Sequence, residues 1–294
     1  MISDYRCFFC FTRAFEKLLA KENISSDAKN SFTKDMITMY QKNWDELNSP
    51  DFARNLHSLL RNYTLNSDPY KSEKKDYNDL ALSLLPELER IVMQSENPFI
   101  TALRLSIAGN IIDFAANDNF NLQATLDRVL RSGFAIDNSE SLKKALERAD
   151  NVLFLGDNAG EIVFDKLFIK TINHPNLIYV VRGAPVINDA TLEDAEYVGM
   201  EEVAKVISNG YDAPSTIVQK SSDEFKHFFN KADLIISKGQ GNLEGLLHLN
   251  DKRIFFLLMV KCNVMAEFLK VEKDSFVVFN AASLKCTTNY FTGI

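Results

Sequence analysis

Hydrophobic positions along the chain follow two different periods, and the change falls near residue 135. Before it, apolar residues recur at helical spacing and strand signals are scarce. Phe11, Phe15, Leu18 and Leu19 predict one helix, Phe32, Met36, Met39 and Tyr40 a second, and Leu80, Leu84, Leu88, Ile91 and Val92 a third. Ala102 to Phe114 and Leu122 to Leu130 add two more, with Asn66-Ser-Asp-Pro69 and Asn97-Pro98 as turns between helices. From about Ser141 short β-rich runs alternate with helical stretches. The strands fall at Val152–Leu155, Leu177–Val181, Lys205–Ile207, Leu234–Ile236, Arg253–Leu258 and Ser275–Phe279. Helices are expected around Ile162–Thr171, Thr191–Val198, Ser215–Val218 with Asp223–Phe229, and Met265–Phe268. Strands that alternate with helices build a mostly parallel sheet. The expected fold is therefore α/β: a helical N-terminal domain, residues 1–135, packed on a Rossmann-like α/β domain, residues 136–294.

Composition narrows the function. The net charge of -7 and pI near 5.3 argue against a broad nucleic-acid surface, which needs a basic patch. No apolar run approaches the eighteen or so residues of a membrane span, Ile254-Phe-Phe-Leu-Leu-Met-Val260 being too short. Met1-Ile-Ser-Asp-Tyr-Arg-Cys7 lacks the basic start and apolar core of a signal peptide, so a cytoplasmic location is expected.

The chemistry gathers at strand ends. Val152-Leu-Phe-Leu155 stops at Gly156 and delivers Asp157 and Asn158, after which Ala159-Gly-Glu161 opens a helix. Leu177–Val181 is followed by Arg182-Gly-Ala-Pro185 and then Asn188-Asp189 before another helix; Leu234–Ile236 is followed by Ser237-Lys-Gly-Gln-Gly-Asn242. Parallel strands put their carboxyl ends along one edge, where open α/β sheets bind ligands. The converging inventory is two carboxylates, Asp157 and Asp189, two carboxamides, Asn158 and Asn188, and Lys238 beside glycine-rich backbone. Carboxylate and carboxamide oxygens suit a hard divalent cation, and lysine with helix N-terminal amides suits an anion. Each turn taken singly is equally a helix cap; recurrence along one edge favours a site. Gly239-Gln-Gly241 is not a dinucleotide fingerprint, and no GxxxxGK[ST] loop is present.

These residues resemble the damage-control phosphatases, metal-dependent enzymes also grouped as domain-of-unknown-function family 89. The matching segments are Cys7-Phe-Phe-Cys10, Asp68-Pro-Tyr70 with Lys74, Ala108-Gly-Asn-Ile-Ile-Asp113, Gly156-Asp-Asn-Ala-Gly-Glu161, Arg182-Gly-Ala-Pro-Val-Ile-Asn-Asp-Ala-Thr191 and Ser237-Lys-Gly-Gln-Gly-Asn242. The early Cys-x-x-Cys resembles the stand-alone, prokaryotic-type branch. The resemblance implies a Mg, Mn, Co or Ni ion held by Asp157, Asn158 and Asp189. It implies Lys238 on the substrate phosphate, with Glu161, Asn188 and Gly239 nearby, and hydrolysis of small phosphorylated metabolites. The family commonly has lysine where this chain has Arg182, which changes hydrogen-bond geometry while keeping charge.

Other features stay open at this level. Asn110 and Asp113 share one face of an apolar helix, as a hydrogen-bond network or as substrate contacts. Cys7, Cys10, Cys262 and Cys286 are either small buried side chains or a second metal or redox cluster. A methyltransferase-like small-molecule transferase and a non-catalytic metabolite-binding protein are the competing functional classes, and oligomeric state is not legible.

Overall fold

The computed structural model describes residues 4–44, 50–109 and 122–280. Among the described residues six helices come first: α1 Tyr5–Lys21, α2 Ser26–Lys42, α3 Pro50–Thr64, α4 Lys71–Gln94, α5 Pro98–Ala108 and α6 Leu122–Arg131. Strands then alternate with helices: β1 Phe134–Asp137, α7 Ser139–Leu146, β2 Val152–Leu155, α8 Glu161–Ile172, β3 Leu177–Val181, α9 Leu192–Tyr197 and β4 Lys205–Ser208. After these come α10 Asp223–Lys231, β5 Leu234–Lys238, α11 Gly239–Leu246, β6 Ile254–Met259, α12 Asn263–Leu269 and β7 Phe276–Asn280. Asn110, Asp113 and Cys286 lie outside the described residues.

The strands form one 7-stranded sheet in the order β1-β7-β6-β5-β2-β3-β4, parallel except for the β6–β7 pair. The sheet is the mostly parallel α/β layer that strand–helix alternation requires. From β2 the chain runs outward through β3 and β4, then crosses back so that β5 flanks β2 on its other side. The carboxyl ends of β2 and β5 therefore border the point where the winding direction reverses, the usual place for a crevice in such sheets.

Central strands are apolar on both faces because both faces are covered. Val152 and Phe154 of β2 join a core with α4, α5 and α8, while Leu153 and Leu155 face the opposite core with α10, α11 and α12. Phe154, fully buried, is worth roughly 2–3 kcal/mol in that environment. A third cluster, centred on Phe15, Phe32, Tyr40 and Leu56, joins α1, α2 and α3. Thus α4 and α5, from the helical half, are built into the sheet's own core.

Two local expectations need correction. Ser215–Val218 forms bends and a turn, not a helix. Ser215 and Thr216 are fully buried there, and the closest approaches to α11 fall at its glycines. A Cβ on Gly241 would stand 2.3 Å from the Pro214 carbonyl oxygen, and one on Gly245 would stand 2.1 Å from Ser215 Oγ. The edge strand β1 was not foreseen, since its four residues are only alternately half-buried and give a weak signal.

Candidate active site

At the end of β2, Gly156 lets the chain pass over Tyr179, whose hydroxyl would lie 2.3 Å from any added Cβ. The next residues are Asp157 and Asn158, both buried. The second polar turn folds directly onto this one. Asn158 and Asp189 form an antiparallel bridge. The Ala159 N–H donates to the Asn188 carbonyl at 2.8 Å, and the Ala190 N–H donates to the Asp157 carbonyl at 2.8 Å. Turns 30 residues apart in sequence thus share one backbone frame, which sets Asp157, Asn158 and Asp189 side by side. Ile187, within the second turn, has φ 47°, a strained value for a β-branched residue.

Arg182 splints this group. Its Nε donates to Asp189 Oδ2 at 2.5 Å and Nη2 to Asp157 Oδ1 at 3.3 Å, while Nη1 donates to Asn242 Oδ1 at 3.1 Å. Asn242 in turn donates to the Gly156 and Lys238 carbonyls at 3.0 and 2.8 Å. A planar fork satisfies two carboxylates and a carboxamide together, which an ammonium in its place would do with different geometry. Asn158 Nδ2 donates to Asp157 Oδ2 at 2.9 Å and to Glu161 Oε2 at 3.2 Å, turning the carboxamide's donor side toward its neighbours.

Lys238, at the end of β5, is completely buried and points away from solvent. Its ammonium donates to Glu161 Oε1 at 2.6 Å, Asp165 Oδ1 at 2.5 Å and the Ser106 carbonyl at 3.0 Å. Asp165 also accepts from Ser106 Oγ at 2.7 Å and from Tyr179 at 3.0 Å. The ammonium's three donors are therefore all engaged within the protein, and direct contact with a phosphate requires one of them to be released. Burial opposes the charge on Lys238, but Asp165 and Glu161 outweigh it and raise the affinity for the proton.

The backbone beyond Lys238 closes the site. Gly239 adopts φ +80°, and a Cβ there would stand 2.0 Å from Asp157 Oδ2. Only glycine lets the first turn of α11 come so near the carboxylate. On the exposed loop after β6, Lys261 lies near enough to favour the charged forms of both Asp157 and Asp189.

Burial and mutual repulsion favour the protonated forms of these carboxylates. Burial, then the neighbouring Asp189 and Glu161 charges, pushes Asp157 up to about 8. Asp189 is raised by burial despite Arg182, and Asp165 rises to about 6, again chiefly through burial. Four buried carboxylates, Asp157, Glu161, Asp165 and Asp189, face two buried cations, Arg182 and Lys238. Among the described residues, no three His, Cys, Asp or Glu side chains are grouped to hold a metal. A shell of two carboxylates and one carboxamide still fits Mg²⁺-type ions, which retain waters and take few protein ligands.

The sequence inventory is thus brought together at Asp157, Asn158, Asp189, Glu161, Arg182, Lys238 and Gly239, with Asn188 supplying its carbonyl to the frame. Asn242 ends the Ser237–Asn242 segment, whereas Asp165 and Lys261 lie outside the sequence inventory. Asp165 carries a signal, an acidic residue inside a helix apolar nearly all round; Lys261 carries none. Cys7 and Cys262 are half-buried, Cys10 is exposed, and all three thiols are free. Burial raises the Cys7 thiol to about 11, and Cys262 contacts Gln240 at 3.5 Å. A small cleft lined by His57, Arg61, Asp68, Tyr70, Pro185 and Ile187 adjoins the Asp189 turn.

The fold and site define an α/β protein whose clustered carboxylates and buried cations gather at the winding reversal of a mostly parallel sheet. Comparison with known proteins makes this specific. Residues 3–277 match the damage-control phosphatase ARMT1-like domain, so the chain belongs to the damage-control phosphatase family. It is 33% identical to the damage-control phosphatase PH1575 of Pyrococcus horikoshii, over 93% of this chain and 96% of that protein. A damage-control phosphatase of Archaeoglobus fulgidus is 36% identical over 71% of this chain and 75% of its own length. The crystal structure of a DUF89 family protein from Pyrococcus horikoshii superposes with TM-score 0.87 at 31% identity, covering 96% of this chain and 99% of that one. Among the described residues no helix is long and apolar enough to cross a membrane.

Proposed function

We propose that this protein is a metal-dependent phosphatase that hydrolyses phosphomonoesters of small metabolites, such as sugar phosphates or damaged phosphometabolites. The observation that carries the reading is the excess of buried carboxylate over buried cation where β2 and β5 end, a charge imbalance that a divalent ion relieves. Its relatives' names support the reaction class. In this reading Asp157, Asn158 and Asp189 hold one Mg, Mn, Co or Ni ion, which when bound supplies Lewis-acid polarisation of the phosphoryl group.

The chain's own residues do the remaining work. Arg182 ties the two carboxylates together and adds fixed positive charge beside them. The N–H groups at the start of α11, which begins against Asp157, and the charge of Lys261, felt by both Asp157 and Asp189, would help neutralise the anion. Lys238 anchors Glu161, and Glu161 in turn orients Asn158. In the net reaction the ester P–O bond breaks and one water is consumed, its hydroxyl going to phosphorus and its proton to the alcohol oxygen, with attack either by that water directly or first by Asp157. The test is phosphate release from a panel of sugar phosphates and phosphorylated cofactor precursors, with Mg, Mn, Co and Ni and with chelator. Turnover restricted to metal-containing reactions is expected; full turnover in chelator contradicts the reading.

A further inference from the structure

The helical half reaches the site through one side chain. Asn78, on α4, is 1% exposed and lies between the two ligand-bearing turns. Its Oδ1 accepts the Gly160 N–H at 2.7 Å, and its Nδ2 donates to Asp194 Oδ1 at 3.0 Å. Gly160 follows Asn158 by two residues and has φ +75°; its N–H precedes α8 and has no acceptor within that helix. Asp194 lies in the first turn of α9, the helix that follows the other ligand-bearing turn. Its Oδ2 accepts the Thr191 N–H at 2.9 Å and the Thr191 hydroxyl at 2.8 Å, and Thr191 follows Asp189 by two residues.

The amide has one workable orientation, because an N–H needs the oxygen and a carboxylate needs the NH₂. Lys74, one helical turn earlier on the same face, reinforces the connection by pairing with Asp194 at 3.1 Å and Asp68 at 2.9 Å. Helix α4 is also pressed close: a Cβ on Gly160 would stand 3.0 Å from Tyr77 Cβ. The backbone bridge between Asn158 and Asp189 fixes the middle of the site, and Asn78 ties its two outer ends.

We propose that Asn78 is a positioning residue that sets the separation of Asp157 and Asp189 for metal binding. The proposal rests on the metal-ligand reading given above. Residues that orient ligands from outside the first layer typically change metal affinity by about 10–100-fold when removed.

The test is Mn²⁺ titration of metal-stripped protein by calorimetry, alongside Mn²⁺-dependent phosphate release. Asn78→Ala should weaken Mn²⁺ binding about tenfold or more, with kcat returning to within a few-fold of wild type at saturating Mn²⁺. Leu105→Ala, a fully buried core change in α5, serves as the stability control and should lower Tm without altering Mn²⁺ affinity. Asn78→Asp keeps the volume and the acceptor but sets a carboxylate against Asp194; it should also weaken Mn²⁺ binding, and it carries the test where the alanine variant does not fold. Unchanged Mn²⁺ affinity in a folded Asn78 variant, or a loss no greater than that of Leu105→Ala at equal Tm, overturns the proposal. Wild-type protein that binds no Mn²⁺ overturns the ligand assignment itself, which separates the two failures.

Discussion

At Asp157 three influences act in one direction: burial, the Asp189 carboxylate and the Glu161 carboxylate all favour the protonated form, taking it from 3.8 to about 8. A carboxyl raised on folding binds more protons in the native state than in the unfolded state between those values, so it lowers stability as pH rises through that window. Asp165, raised to about 6, and Glu244, raised to about 7, carry the same sign. His57 opposes them at lower pH, because burial lowers it to about 4 and its contribution improves up to about 6.5. The clean window is therefore about pH 6.5 to 8. Metal-stripped protein should show a Tm that falls across it, and added Mg²⁺ or Mn²⁺ should raise Tm more at pH 8 than at pH 6.5. A metal-induced shift that is larger at pH 6.5 contradicts the assignment of Asp157 as a charged ligand. Asp157 was readable from its place after an apolar run. Asn78 and Lys261 were not, because their relevance arises from segments brought in across the fold: 82 residues separate Asn78 from Gly160.

Among the elements, α11 bears the tightest geometric demand. It starts at Gly239, whose φ of +80° and contact with Asp157 both exclude a side chain. Gly239→Ala should cost about 1–3 kcal/mol in stability from backbone strain and reduce phosphate release about 100-fold by displacing the carboxylate. Chemical denaturation and steady-state kinetics read the two effects separately; an alanine variant with wild-type turnover places α11 outside the site. The strand–turn–helix units at β2, β3 and β5 were legible in the sequence because apolar runs ended on glycine and paired polar residues. The bent segment at Ser215–Val218 was not, since its shape follows from close packing on Gly241 and Gly245 rather than from its own propensity. Nor could periodicity show that α4 and α5 belong to the sheet's core, as an apolar helical face does not name its partner.

Across the whole molecule, the order of the strands explains why distant motifs form one site. With β5 beside β2, the turn carrying Asp157 meets the junction of β5 and α11 at Lys238 and Gly239, and the bridge to Asp189 adds the third segment. The helical half closes the arrangement through Asn78, Lys74 and the α5–α8 contact at Ser106 and Asp165. The Asp68–Tyr70 turn gains a role here too, since Asp68 pairs with Lys74 and lines the cleft beside Pro185 and Ile187. The most direct test of the metal-phosphatase reading is phosphate release by metal-stripped enzyme titrated with Mn²⁺, with wild type and Asp189→Ala compared on one sugar phosphate. The expected result is saturable activation of the wild type and a loss of about 100-fold or more in the folded variant. Equal turnover of the two proteins, or wild-type turnover indifferent to Mn²⁺, contradicts it.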